Sequence, residues 1–154
     1  DGHGDCKIRC TPAETKKWKG RCPKCGRLIT VGVMNRVDVL ADRPVGFKPK
    51  NAIPYKSIVP LQEVIAEAYG VGKQSKRVQK TYEDMMATIA PEFSLLLDVS
   101  LDQLREYNVD PLIVEGIRRV RAGEITVAPG YDGIFGTVEI GIHPKKKITP
   151  RLPL

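Results

Sequence analysis

The sequence predicts an α+β chain in two segments, a small cysteine-rich module followed by a mainly helical domain that ends in a β-hairpin. Three observations predict it. All four cysteines fall within the first 25 of 154 residues. From Leu61 to Val120 apolar residues recur at spacings of three and four, the period of a helix with one buried face. After Gly123 the period drops to two, the spacing of a strand. Hydrophobic residues make up 42% and charged residues 28%, enough apolar material for a core, so wholesale disorder is excluded. No apolar run approaches the ~18 residues of a membrane span, and no signal peptide is visible. A cytoplasmic location is therefore expected. The missing initiator Met suggests a fragment of a longer protein.

The cysteine cluster explains the first segment. Disulfide frameworks spread their cysteines through the domain they staple, and 129 residues without one follow Cys25. Cys22-Pro23-Lys24-Cys25-Gly26 is a tight knuckle in which Pro presets the backbone and Gly accepts a positive φ. Two thiolates facing one hollow suit a tetrahedral zinc, which needs two more soft ligands at about 2.3 Å. Cys6 and Cys10 supply them from a C-x3-C arm, so the expected ligand set is Cys6, Cys10, Cys22 and Cys25. The competing ligand is His3, which stands H-x2-C from Cys6 and can replace Cys10. Four protein ligands close the coordination sphere, which makes the zinc structural and not catalytic. The module is thus zinc-ribbon-like and is expected over residues 1–50.

Residues 28–33 are β-branched and predict a strand leaving the metal site. Pro44, Pro49, Pro54 and Pro60 then interrupt both helix and central strand, which predicts a semi-rigid extended linker over 43–60 and a boundary near residue 50. The second domain is expected over 51–142. Pro60 sits at a helix start, with Leu61, Val64, Ile65 and Ala68 on one face before Gly70. Val78, Tyr82, Met85, Met86 and Ile89 line the next helix. Ser100-Leu101-Asp102-Gln103 is a capping box, and Asp110-Pro111 opens a helix that stops at Gly123. Ile125 and Val127 alternate, as do Val138, Ile140 and Ile142, around the Gly-rich stretch 129–136, which reads as a hairpin with a long loop. Residues 143–154 read as a basic flexible tail.

Charge points to a polyanion. The chain has 25 Lys and Arg against 18 Asp and Glu, a net charge of +7. Such a field concentrates polyanions, of which nucleic acid is the commonest. Residues 1–36 hold nine basic side chains against three acids. Lys16, Lys17, Lys19, Arg21, Lys24 and Arg27 cluster in the arm with Trp18 among them, and an aromatic in a basic loop can stack on an unpaired base. Equally, Trp18 can cover the small metal core. Tyr131 in Gly130-Tyr131-Asp132-Gly133 is a second stacking candidate, set against packing on the helices. Gly70-Val71-Gly72-Lys73-Gln74-Ser75 lacks the G-K-[ST] of a P-loop and follows no strand, so nucleotide hydrolysis there is rejected. The two histidines, His3 and His143, lie at opposite ends, and no H-E-x-x-H or G-x-S-x-G is present. No catalytic set is therefore expected.

As a set these residues resemble the endonuclease Q family. The resemblance rests on Asp1-Gly2-His3, Cys6, Thr11-Pro12-Ala13-Glu14-Thr15, Cys22-Pro23-Lys24-Cys25-Gly26, Leu28 to Val33, and Arg36-Val37 through Leu40-Ala41-Asp42-Arg43. It continues through Ile58-Val59-Pro60-Leu61, Ile65-Ala66-Glu67, Arg119 to Gly123, and Pro129-Gly130-Tyr131-Asp132-Gly133 with Gly136. It implies a DNA repair endonuclease with an N-terminal metal-dependent PHP domain, a zinc-binding domain and a C-terminal helical domain. Such an enzyme nicks DNA on the 5′ side of deaminated bases and at abasic sites. The chain resembles only the last two parts, which implies DNA binding and lesion engagement without the cutting chemistry. The position of Cys10 is often aliphatic in that family, which keeps His3 open as the ligand. The expected partners are DNA and the missing PHP domain. The rival expectation is a zinc-ribbon protein–protein adaptor attached to a helicase-like protein.

Overall fold

The computed structural model describes residues 1–143. The basic tail expected over 143–154 lies, apart from His143, outside them. Two compact units are present. One consists of Asp1–Pro54 with Val127–Val138, the other of Tyr55–Thr126 with the residues from Glu139 on. The Gly-rich loop of the hairpin thus groups with the cysteine-rich module, whereas the sequence reading left it with the helices.

In the first unit, β1 (Gly2–His3) and β2 (Ile8–Arg9) pair antiparallel with His3 opposite Ile8. A single 3-10 turn, Gly4–Cys6, joins them, and Lys7 leaves it with φ 54°. Helix α1 (Pro12–Lys17) opens on a capping box in which Thr11 and Glu14 satisfy each other's backbone N–H, with Pro at the first turn. The knuckle follows: Cys22 N–H donates to the Arg27 carbonyl at 2.7 Å and Gly26 N–H to the Cys22 carbonyl at 2.8 Å. Gly26 turns the chain with φ 77°.

Residues 28–33 do not form the predicted strand. Leu28 and Thr30 make only single bridges, to Arg21 and Gly2. Helix α2 (Val33–Leu40), which the sequence reading did not anticipate, starts where the strand was expected to end. The apolar interior here is small, with Cys10, Cys22 and Ile29 buried and Cys6, Ile8 and Trp18 packed on them.

The second unit follows the predicted period. Helices α3 (Leu61–Tyr69), α4 (Lys76–Thr88), α5 (Glu92–Leu97), α6 (Leu101–Glu106) and α7 (Pro111–Ala122) form it. Ser75, Ser100 and Asp110 cap α4, α6 and α7 through their side-chain oxygens, and Ser100 with Gln103 closes the expected box. Gly70 and Gly123 end α3 and α7 in the left-handed conformation.

Leu61, Ile65, Leu95, Leu96, Leu104, Ile113 and Ile117 are fully enclosed. Each such side chain stabilises the fold by about 1.5–3 kcal/mol of transfer free energy. Ile140 and Ile142 join this core. Their backbone is held by Glu67, whose carboxylate accepts the N–H groups of Ile140, Gly141 and Ile142 at 2.9, 2.7 and 2.9 Å. Arg121 fixes the α5 end by donating to the carbonyls of Leu95, Leu96 and Val99 at 2.8, 2.9 and 2.7 Å. No helix among the described residues is long and apolar enough to cross a membrane.

Strands β3 (Thr126–Ala128) and β4 (Thr137–Glu139) pair as the expected hairpin, shorter than the alternation suggested. Between them Tyr131 and Ile134 exchange backbone hydrogen bonds at 2.9 and 2.8 Å.

Candidate metal centre

Two tight turns build the centre. Each places two ligand residues three positions apart and is followed by a left-handed residue: His3 and Cys6 before Lys7, Cys22 and Cys25 before Gly26. Gly2 and Thr30 exchange backbone hydrogen bonds at 3.0 and 2.8 Å, which brings the two turns face to face. The ligand atoms of His3, Cys6, Cys22 and Cys25 then all lie within 4.8 Å of one another. His3 is 8% exposed and Cys22 is 2% exposed, so both project inward. Among the described residues this is the group of His, Cys, Asp and Glu side chains that can hold a metal ion.

Cys10, expected as the fourth ligand, is not in the group. Its sulfur lies 3.4 Å from the Thr15 hydroxyl, whose own proton goes to the Asp1 carboxylate at 2.5 Å. The cause is spacing. A three-residue gap lets one tight turn aim both side chains into the hollow, as His3 and Cys6 do. Cys10 lies beyond β2, where it belongs to the small apolar interior. The matching H-x2-C and C-x2-C spacings were the signal for His3.

The donor set fits a cation. Three thiols and an imidazole are the soft donors of a closed tetrahedral site. Hydrogen bonding to Cys25, with burial, pushes the Cys6 thiol up to about 11, and a bound cation would favour its thiolate. Burial pushes the Cys22 thiol up as well, but the backbone N–H groups of Lys24 and Cys25 aim at its sulfur and bring it below the ordinary value.

The Gly-rich loop braces this centre from 128 residues away in sequence. The Asp132 carboxylate accepts the Gly4 N–H. Thr30, and then Gly4, hold that carboxyl below its usual range by hydrogen bonding. Tyr131 packs on Gly2, where any Cβ would meet its side chain and, at 2.6 Å, the Ile8 carbonyl oxygen. Tyr131 is therefore half-buried as a brace. Trp18 packs on the interior of Cys10, Cys22 and Ile29.

The basic candidates belong to the same unit as the centre. Lys17, Lys19 and Lys24 are exposed. Lys16 is paired with Asp38 at 2.6 Å and Arg27 faces Asp5 at 3.7 Å. Arg21 donates to the Gly26 carbonyl at 3.2 Å. The first unit as a whole holds twelve Lys and Arg against six Asp and Glu.

Taken together, the chain is of the class that joins a Cys3His metal-knuckle module to a small helical unit. It is similar to known proteins along nearly its whole length. The family model described as the MJ0043 C-terminal domain matches residues 60–124. The chain is 33% identical over 141 residues to the uncharacterized protein MJ0043 of Methanocaldococcus jannaschii, an alignment that covers 92% of this chain and 17% of that protein.

Its fold matches the crystal structure of the lesion-specific endonuclease Q of Pyrococcus furiosus with a TM-score of 0.76 and 28% identity. It also matches, with a TM-score of 0.73 and 28% identity, the crystal structure of endonuclease Q in complex with a 27-mer duplex substrate with an abasic lesion at the active site. Each match covers 94% of this chain but only 34% and 35% of the endonuclease Q chains. The resemblance to endonuclease Q read in the sequence is thus present in the fold.

Proposed function

We propose that this chain is the DNA-engaging portion of a repair endonuclease of the endonuclease Q type, with the cutting residues supplied by polypeptide outside these 154 residues. The observation that carries the reading is the fold match over 94% of the chain to an endonuclease captured on a lesion-bearing duplex. The excess of cations in the first unit supports it, since phosphate neutralisation with release of counterions drives nucleic-acid affinity. The metal is zinc and its duty is structural. His3, Cys6, Cys22 and Cys25 fill the coordination sphere and hold the arm in place. Lys17, Lys19 and Lys24 contact the backbone of DNA, while the target nucleotide, abasic or deaminated, is presented to the cutting domain.

Fluorescence anisotropy of the zinc-loaded chain on an abasic duplex, over a range of salt, tests this. Binding should weaken as salt rises. Changing Lys17 and Lys19 to Glu should lower affinity and flatten the salt slope by about one unit for each phosphate no longer neutralised. The chain alone should leave the duplex uncut. Binding that is absent at low salt would overturn the reading in favour of a protein–protein adaptor.

A further inference from the structure

Helix α2 is amphipathic the wrong way round. Two of its three polar residues, Asn35 and Asp38, face the module to which it is anchored. Asn35 donates to the Asp1 carboxylate at 2.8 Å, and Asp38 pairs with Lys16 at 2.6 Å. At 100° per residue these two positions share one side of the helix, and Val33, Val37 and Leu40 fall on the opposite side. That apolar stripe points away from the module. Val33 is 80% exposed and Leu40 is 65% exposed, while Asn35 is the most enclosed residue of α2. Met34 and Val39 are exposed too, as are Val45 and Phe47 beyond the helix. Three or more large apolar side chains at i, i+4 and i+7 are the pattern of a packed helix face, not of a solvated one.

We propose that the Val33, Val37 and Leu40 face of α2 is a docking surface for the part of an endonuclease-Q-type polypeptide that has no counterpart in this chain. The proposal rests on the functional reading above. Two observations favour this occupant. The similar endonuclease chains carry about two thirds of their length outside the matched region. The patch is also small. A helix of eight residues is about 12 Å long, so a pair of them buries far less than the roughly 800 Å² per partner of a stable association between separate chains. A tethered neighbour needs no such area, because a linker keeps its effective concentration near the millimolar range. The occupant presents an apolar patch, and the exposed cation of Arg36 beside the stripe favours a carboxylate at its edge.

Hydrogen exchange tests this in two proteins, the 154-residue chain and Pyrococcus furiosus endonuclease Q with its matching third replaced by this chain. The α2 amides should exchange about tenfold or more slowly in the chimera than in the free chain. Val37→Asp with Leu40→Asp should return the chimera to the fast rate. The same pair in the free chain should leave metal stoichiometry unchanged and the melting temperature within about 2 °C, because among the described residues the stripe is exposed. Equal exchange in both proteins would overturn the proposal. So would a free chain whose α2 is already protected, or one that dimerises until the two substitutions break it, or one that the substitutions strongly destabilise; these last three need no folded chimera. A chimera with protected α2 that neither binds nor nicks an abasic duplex would count against the functional reading and leave the docking surface standing.

Discussion

The Asp132 carboxylate holds the backbone N–H of Gly4, the residue that follows the candidate ligand His3. Tyr131 closes on Gly2, the residue that precedes it. A ligand is thereby clamped on both sides by a loop distant in sequence. Outer partners of this kind set the orientation of a ligand and hence the affinity of the site. Replacing Asp132 by Ala should weaken zinc binding by about tenfold, measured by competition with a chromophoric chelator, while the helical unit keeps its melting transition. An unchanged affinity would mean that the turn Gly4–Cys6 holds His3 unaided.

His3 and Cys10 make opposite predictions. His3→Ala should cost the site a ligand, visible as loss of about one bound zinc or as a steep fall in affinity. Cys10→Val should keep the metal, since Cys10 Sγ touches only the Thr15 hydroxyl and the small interior. Elemental analysis of both variants decides between the two ligand sets. A metal-free Cys10→Val variant beside a loaded His3→Ala variant would restore the four-cysteine site.

Metal removal should unfold the first unit and spare the second. The apolar interior of the first unit consists of three buried residues with Cys6, Ile8 and Trp18 around them, too little apolar surface to order its chain without a metal. The helical unit encloses a large aliphatic core of its own. After chelation, far-ultraviolet circular dichroism should retain most of the helical signal while Trp18 fluorescence shifts to that of an exposed indole. Cooperative loss of both signals would show that the two units fold as one.

Acid should weaken the helical unit in a defined window. Hydrogen bonds from Arg118 and then Arg119 hold the Glu115 carboxyl down from its ordinary 4.5 to about 2. The folded value lies below the unfolded one, so the contribution is fully present above about pH 4.5 and disappears as pH falls towards 2. The ion pairs are partly exposed, which keeps the effect modest and salt-sensitive. Urea unfolding of the metal-free chain at pH 5 and pH 3 should show a smaller pH dependence for Glu115→Gln than for the parent. Equal pH dependence in the two proteins would assign the acid sensitivity to other carboxylates.

The helical unit was legible in the residues because its signals are local. The caps at Ser100 and Asp110, the stops at Gly70 and Gly123, and the three-and-four spacing of Leu61, Val64, Ile65 and Ala68 each depend on neighbours within a turn or two, and each is present in the fold. The Cys22 knuckle was legible for the same reason.

The rest was settled between residues far apart in the chain. Which of His3 and Cys10 completes the centre depends on where β1 and β2 leave each side chain, and a lone histidine near a terminus reads as solvated sooner than as a ligand. Tyr131 and Asp132 belong to the metal module because the loop 129–136 folds back on Gly2 and Gly4, a closure of more than 120 residues that no local pattern records. Residues 28–33 have strand propensity but almost no ladder to join, and β-propensity yields to the absence of a partner. In α2 the Asp1 carboxylate draws Asn35 inward by hydrogen bonding, and the apolar stripe of Val33, Val37 and Leu40 is turned out. Short-range preferences determine which elements this chain can form; the pairing of polar groups across long loops decides which face of each element is buried and which ligand reaches the metal.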